Sequence, residues 1–188
     1  MQRCNAGENI TINRDNNNVF AKGGIDRISI ASSNNHIDAG SGNDTIEIGN
    51  YRFYGNNNTI NGGTGNDTIN VSGSDNTIDG GADSDTITIS SGTNNLIIGG
   101  TGNDTIKIST QNNIVEWKSG DGYDTVSANN NNLIRIKDMS LQDVLIQNNG
   151  TFGSFRIVSK NNNNQGVNFG SVKYYEVDGT QYNVENGL

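Results

Sequence analysis

Five aspartates, Asp44, Asp67, Asp85, Asp104 and Asp124, each close a short run of glycines and small residues. The runs are Ala39-Gly40-Ser41-Gly42-Asn43-Asp44, Gly62-Gly63-Thr64-Gly65-Asn66-Asp67, Gly80-Gly81-Ala82-Asp83-Ser84-Asp85, Gly99-Gly100-Thr101-Gly102-Asn103-Asp104 and Ser119-Gly120-Asp121-Gly122-Tyr123-Asp124. Apart from a wider first gap, the aspartates recur every 18 to 20 residues. Glycine reaches φ > 0 and lets backbones approach closely, so such a loop can aim several carbonyl oxygens at one point. The aspartate adds negative charge. Carbonyl and carboxylate oxygens are what a hard cation such as calcium takes, about six to eight of them at roughly 2.3–2.6 Å. If the loops stack, two carboxylates about 5 Å apart repel by roughly 3 kcal/mol at an effective dielectric of about 20. A cation between them reverses that sign.

The segments between the loops must do the stacking. After each aspartate comes a Thr-Ile-x-Ile pattern of period two, with Ile28/Ile30, Ile46/Ile48, Ile69/Val71, Ile87/Ile89 and Ile106/Ile108 as the inward pairs. β-branched residues suit such a pleated surface. A second signature fills the other half of each period, an asparagine two residues before an apolar residue. The pairs are Asn17/Val19, Asn35/Ile37, Asn58/Ile60, Asn76/Ile78, Asn95/Ile97, Asn113/Val115 and Asn132/Ile134. The asparagine amide carries both donor and acceptor, so stacked copies can bond along the axis or cap turn carbonyls. No single period can bury its apolar side alone, so stacking must create the core. Parallel stacking puts equivalent residues roughly 4.8 Å apart.

The repeated phrase resembles the RTX calcium-binding nonapeptide, G-G-x-G-x-D followed by an apolar residue two positions on. The resemblance implies an all-β fold: a right-handed parallel β-roll, or β-solenoid, with calcium loops on one side. Here the other side carries an asparagine ladder, and a β-rich C-terminal cap follows. It implies ions between equivalent loops of successive turns, held by carbonyls and the closing aspartate. The matching positions are Gly40, Gly42 and Asp44; Gly62, Gly63, Thr64, Gly65 and Asp67; Gly80, Gly81, Ala82, Asp83 and Asp85; Gly99, Gly100, Thr101, Gly102 and Asp104; and Gly120, Gly122 and Asp124. Five stacked loops give about four Ca2+ sites. Asp26 could add a fifth, although Lys22 and Ile25 stand there at glycine and polar positions. Asp83 replaces a glycine, and aspartate tolerates the left-handed region better than most residues. The family further implies a secreted or cell-surface bacterial protein, export through a type I secretion apparatus, and folding on calcium outside the cell.

Composition bounds the alternatives. The chain has 188 residues, of which 31% are hydrophobic, thin for a globular core and ordinary for a narrow solenoid. A net charge of −8 disfavours nucleic acid and anionic membranes as partners and suits a cation. No apolar run is long enough to span a membrane. The single cysteine, Cys4, allows no internal disulfide. Proline is absent, as a ladder using nearly every backbone N–H requires. The chain opens inside repeat-like sequence and reads as a fragment of a longer protein.

Catalytic signals are missing. His36, the only histidine, has no evident nucleophile partner and reads as a surface residue of a half-turn. The acids are mostly committed to the loops, so the chain is read as non-enzymatic. The wider gap before Asp67 places Gly49 to Gly55 in a surface excursion, where Tyr51, Arg52 and Tyr54 are candidate contacts for a surface ligand. An adhesin-type solenoid that binds a cell surface, a polysaccharide or ice is the alternative. Its stacked outer rows are mixed in type: Ser41, Thr64, Ala82, Thr101, Asp121 in one and Glu47, Asn70, Thr88, Lys107, Ser127 in another. The division expected is residues 1–128 as the roll and 129–188 as the cap, with further strands near 133–138, 143–146, 155–158, 172–177 and 182–184.

Overall fold

A computed structural model describes residues 7–50, 52–128, 131–148, 154–160, 165–170 and 174–183. Cys4 and Tyr51 lie outside these residues. The chain winds through β1 (Asn9–Ile12), β2 (Asn18–Phe20), β3 (Arg27–Ile30), β4 (His36–Ser41), β5 (Thr45–Ile48), β6 (Thr59–Thr64) and β7 (Thr68–Ser72). It continues through β8 (Thr77–Ala82), β9 (Thr86–Ser91), β10 (Leu96–Thr101), β11 (Thr105–Ile108), β12 (Ile114–Lys118), β13 (Tyr123–Ala128) and β14 (Leu133–Lys137). Odd strands stack into one sheet and even strands into the other, all in parallel. The result is an all-β roll of about seven coils.

The Thr-Ile-x-Ile periods build the first sheet as their alternation predicts. Ile46, Ile69, Ile87 and Ile106 stand opposite one another, as do Ile48, Val71, Ile89 and Ile108. All are buried. The asparagine-led periods build the second sheet, and Ile37, Ile60, Ile78, Ile97, Val115 and Ile134 fill the core from its side. Two β-branched columns facing each other form the core. Neither sheet has a dry face without its partner.

The sheets run on past residue 128. β14 pairs in parallel with β12, β17 (Gly166–Gly170) with β13, and β18 (Tyr174–Val177) with β14. Between β14 and β17 the chain makes an excursion through β15 (Val144–Asn148) and β16 (Ser154–Ser159). β15 and β16 extend the first sheet in the antiparallel sense, and β19 (Thr180–Asn183) does the same for the second. Both sheets therefore end, at this side, in antiparallel strands. Phe169, Tyr175 and Val177 are buried beneath them.

The expected excursion lies between β5 and β6. Asn50 holds its tip: its side-chain Oδ1 accepts the N–H groups of Arg52 and Phe53 at 2.9 and 3.0 Å. Arg52, Phe53 and Tyr54 project into solvent, and His36 is also exposed, edge-on to Phe20.

Candidate metal centre

The two corners of each coil are where chemistry-bearing side chains collect. At the glycine corner the chain turns through two residues with positive φ. Gly63 (109°) and Gly65 (110°) show the pattern, and Cβ atoms there would strike carbonyl oxygens of the preceding coil. Asp83 takes the second position at 79°, as its type allows. Lys22 takes the first at 80°, so the Asp26 loop keeps the shape of the others despite its sequence.

The closing aspartates form a ladder. The backbone N–H of Asp26 donates to Oδ1 of Asp44, Asp44 to Asp67, Asp67 to Asp85, and Asp85 to Asp104, at 2.7 to 2.8 Å. Asp104 donates to Asp124 at 3.0 Å. Every one of these side chains is buried. The second oxygen, Oδ2, of Asp26, Asp44, Asp67, Asp85 and Asp104 is buried with no hydrogen-bond partner. Beside the α-carbon of Gly62, Asp67 Oδ2 and the Gly80 carbonyl oxygen lie within 2.5 Å of one point, the place a Cβ would occupy. Asp85 Oδ2 and the Gly99 carbonyl oxygen do the same beside Gly80. A buried carboxylate oxygen with no donor calls for a cation or a proton.

The carboxyls show the same strain electrostatically. Burial pushes Asp85 up to about 7, against the N–H donated by Asp67, and the Asp104, Asp67 and Asp83 carboxylates add to the rise. Asp67 is raised to about 6 and Asp124 to about 8, again chiefly by burial. Asp44 and Asp104 are raised from the same first cause. Among the described residues, no three His, Cys, Asp or Glu side chains converge on one point. The oxygens that gather at this corner are carboxylate and backbone carbonyl oxygens, the donors a hard cation takes.

The remaining expected loop residues sit where the register puts them. Ser41, Thr64, Ala82 and Thr101 stack in one row. The carbonyls of Thr64 and Ala82 accept the N–H groups of Gly42 and Gly65 from the preceding coil. Each keeps a second lone pair. The last loop departs from the others. Ile98 pairs with Glu116 before the corner, but Gly102 pairs with Gly122 after it, so this loop spans two residues more. Trp117 enters the corner there, buried, and Asp121 folds under with Oδ2 accepting the Lys118 N–H at 2.9 Å.

The opposite corner is the asparagine ladder. Asn35 N–H donates to Asn58 Oδ1, Asn58 to Asn76, Asn76 to Asn95, Asn95 to Asn113 and Asn113 to Asn132, at 2.8 to 3.0 Å. Here the other amide atom is satisfied. Nδ2 of Asn76 donates to the Gly55 carbonyl at 2.9 Å and Nδ2 of Asn95 to the Gly73 carbonyl at 3.0 Å. Sequence reasoning missed a further column: the residue before each ladder asparagine is left-handed, at Asn34, Asn57, Asp75, Asn94 and Asn112. The signal was the Asn or Asp repeated at that position, the residue types that tolerate this backbone best after glycine.

Comparison with known families agrees with the geometry. The RTX calcium-binding nonapeptide repeat matches in four copies, over residues 12–46, 54–87 and 89–107. No curated protein matches the chain.

Proposed function

With residues 12–107 belonging to the RTX calcium-binding repeat family, we propose that this roll binds calcium along its aspartate corner and folds on doing so. One observation carries the reading: Asp67 Oδ2 and Asp85 Oδ2 are buried without a hydrogen-bond partner, each packed on a glycine of its own loop that a carbonyl oxygen of the next coil also abuts. Calcium, when bound, supplies positive charge between them. The residues expected to hold it are Asp44, Asp67, Asp85, Asp104 and Asp124, with carbonyls of the glycine loops. The loops position these oxygens, and the buried isoleucine columns keep water from them.

The magnitude is sufficient for a folding switch. Extracellular calcium modules have Kd values of about 0.1–1 mM. At about 1 mM calcium, the tighter value stabilises by roughly 1.4 kcal/mol per site. Several such sites approach the net stability of a domain, about 5–15 kcal/mol. A chain so dependent would stay unfolded where calcium is scarce and fold where it is abundant. That behaviour fits a module of a secreted bacterial protein, exported unfolded by a type I route and folding outside the cell. The module itself is non-enzymatic in this reading. The exposed Arg52, Phe53 and Tyr54 favour a second role, contact with a surface ligand.

Far-UV circular dichroism in EGTA and then in calcium tests the central claim. The β spectrum should appear on adding calcium, and magnesium should substitute poorly because it demands a tighter octahedron. A full β spectrum in chelator, with a melting temperature that calcium leaves unchanged, would overturn it.

A further inference from the structure

One row of the glycine corner changes character at the last loop. Ser41, Thr64, Ala82 and Thr101 stack in register, and the Thr64 and Ala82 carbonyls accept N–H groups from the coil before. Asp121 continues the row, since its carbonyl accepts the Gly102 N–H at 2.7 Å. Ser41, Thr64 and Thr101 are exposed and Ala82 is half-buried, whereas Asp121 is only 1% exposed. The two extra residues of this loop form a turn that draws the carboxylate inward. Its Oδ2 accepts the Lys118 N–H at 2.9 Å, and the Asp121 N–H returns to the Lys118 carbonyl at 3.3 Å.

The other oxygen, Oδ1, is buried without a hydrogen-bond partner. The buried Nε1–H of Trp117, in the same loop, also lacks one, so these two groups do not satisfy each other. Neither ion pair among the described residues involves Asp121. A carboxylate of the same sign lies close by instead. Asp104 packs its bare Oδ2 on Gly99, and the register carries Trp117, the residue before the N–H that holds Asp121, over Gly99. Burial raises Asp121 to about 6, against the pull of Lys118, and the Asp104 and Asp79 carboxylates add to the rise. The rest of the row shows that an exposed side chain suits this backbone, so a buried carboxylate here needs compensation.

We infer that Asp121 is a second side-chain ligand in the last interval of the roll, where it joins Asp104 around one divalent cation. The inference rests on the calcium reading above and assigns a ligand outside the glycine-aspartate pattern that the loops share. The added negative charge makes this the tightest site of the roll, because ligand charge count tunes calcium affinity. The turn at residues 118–121 fixes the carboxylate in place before the ion arrives.

Terbium, which matches calcium in size and in its taste for oxygen, is the probe. Excitation through Trp117, the single tryptophan, favours an ion bound in its own loop. In the full chain, the sensitised emission should saturate at lower terbium than the remaining sites seen by calorimetry, and calcium should quench it by displacement. One shared midpoint for both signals overturns the inference without any variant. Asp121→Asn keeps an acceptor for the Lys118 N–H and removes the charge. It should raise the emission midpoint by on the order of tenfold, with an unchanged far-UV spectrum at saturating calcium. Asp75→Asn removes the same charge from the asparagine corner, at a left-handed position that asparagine accepts, and should leave the midpoint where it was. An unmoved midpoint in Asp121→Asn means that the carboxylate holds a proton and only caps its turn, which overturns the inference and leaves calcium binding intact. An equal shift in Asp75→Asn overturns it too. Absence of any calcium or terbium binding sinks the calcium reading, and this inference with it.

Discussion

Asp67 donates its backbone N–H to Oδ1 of Asp85 across 2.7 Å, while Oδ2 of Asp85 is buried without a partner. One oxygen of the carboxylate builds the roll and the other is left for a cation. Across the coil, Asn58 and Asn76 repeat the first half of this arrangement at 2.8 Å, but the second amide atom of Asn76 donates to Gly55. The two corners differ in one atom type, and under the proposed function that difference makes one of them metal-dependent.

Protons should compete with calcium for the buried carboxylates of the aspartate corner. Burial raises Asp67 to about 6, Asp85 to about 7 and Asp124 to about 8, from about 3.9 in the unfolded chain. The metal-free folded state binds more protons than the unfolded state above pH about 4. This contribution to its stability is therefore greatest below pH about 4, declines as pH rises from there, and is lost once pH has passed the folded values of about 6 to 8. In chelator, the melting temperature should be higher at pH 5 than at pH 8. Calcium affinity should show the opposite trend, weakening as pH falls below about 7, because the ligands must be deprotonated. A melting temperature in chelator that rises with pH would contradict the raised carboxyls.

Substitutions at the two corners should fail differently. Asn76→Ala leaves the Asn58 N–H and the Gly55 carbonyl unpaired, at a cost of about 1–3 kcal/mol, with calcium stoichiometry unchanged. Asp85→Asn keeps the acceptor for Asp67 N–H and turns the orphan oxygen into a donor toward the Gly99 carbonyl. It should raise the melting temperature in chelator and weaken calcium binding. Calorimetric titration and thermal melts separate the two cases. Loss of an ion in Asn76→Ala would show that calcium also uses the asparagine corner.

Trp117, the single tryptophan, is buried in the corner of the last loop. Its fluorescence should therefore report assembly of the C-terminal coils. Emission should shift to the blue as calcium is added to the chelated chain, with the same midpoint as the far-UV signal if the roll folds as one unit. A separate, earlier midpoint would show the last coils forming first.

The C-terminal strands should be required for folding. Removing residues 129–188 deletes β14 to β19 and bares the edges of β12 and β13. Bare parallel edges with apolar faces invite association. The truncated chain should stay unfolded, or aggregate, at calcium levels that fold the whole chain. A monomeric truncated roll with the same calcium midpoint would reduce residues 129–188 to a passenger.

The parallel roll, its two inward columns and the separate identities of the two corners were legible in the sequence. A period of 18 to 20 residues with alternating isoleucines admits few other ways to hide its apolar side. The asparagine ladder was legible for the same reason, since its fixed distance to the next apolar residue survives the wide gap before Asp67. What only the tertiary structure decided depends on neighbours one coil away. The sequence shows that Asp85 ends a glycine loop, but not that one of its oxygens is spent on Asp67 and the other left bare. It shows glycine at 62 and alanine at 39 as interchangeable small residues. Only stacking reveals that a methyl at this position would meet a carboxylate and a carbonyl from two coils. Likewise the two extra residues of the last loop, and the burial of Asp121, follow from the register of β10 against β12. Local chemistry dictates which residues can take each backbone conformation. The distances that make a site arise between residues about 20 apart in the chain, set by parallel stacking at roughly 4.8 Å.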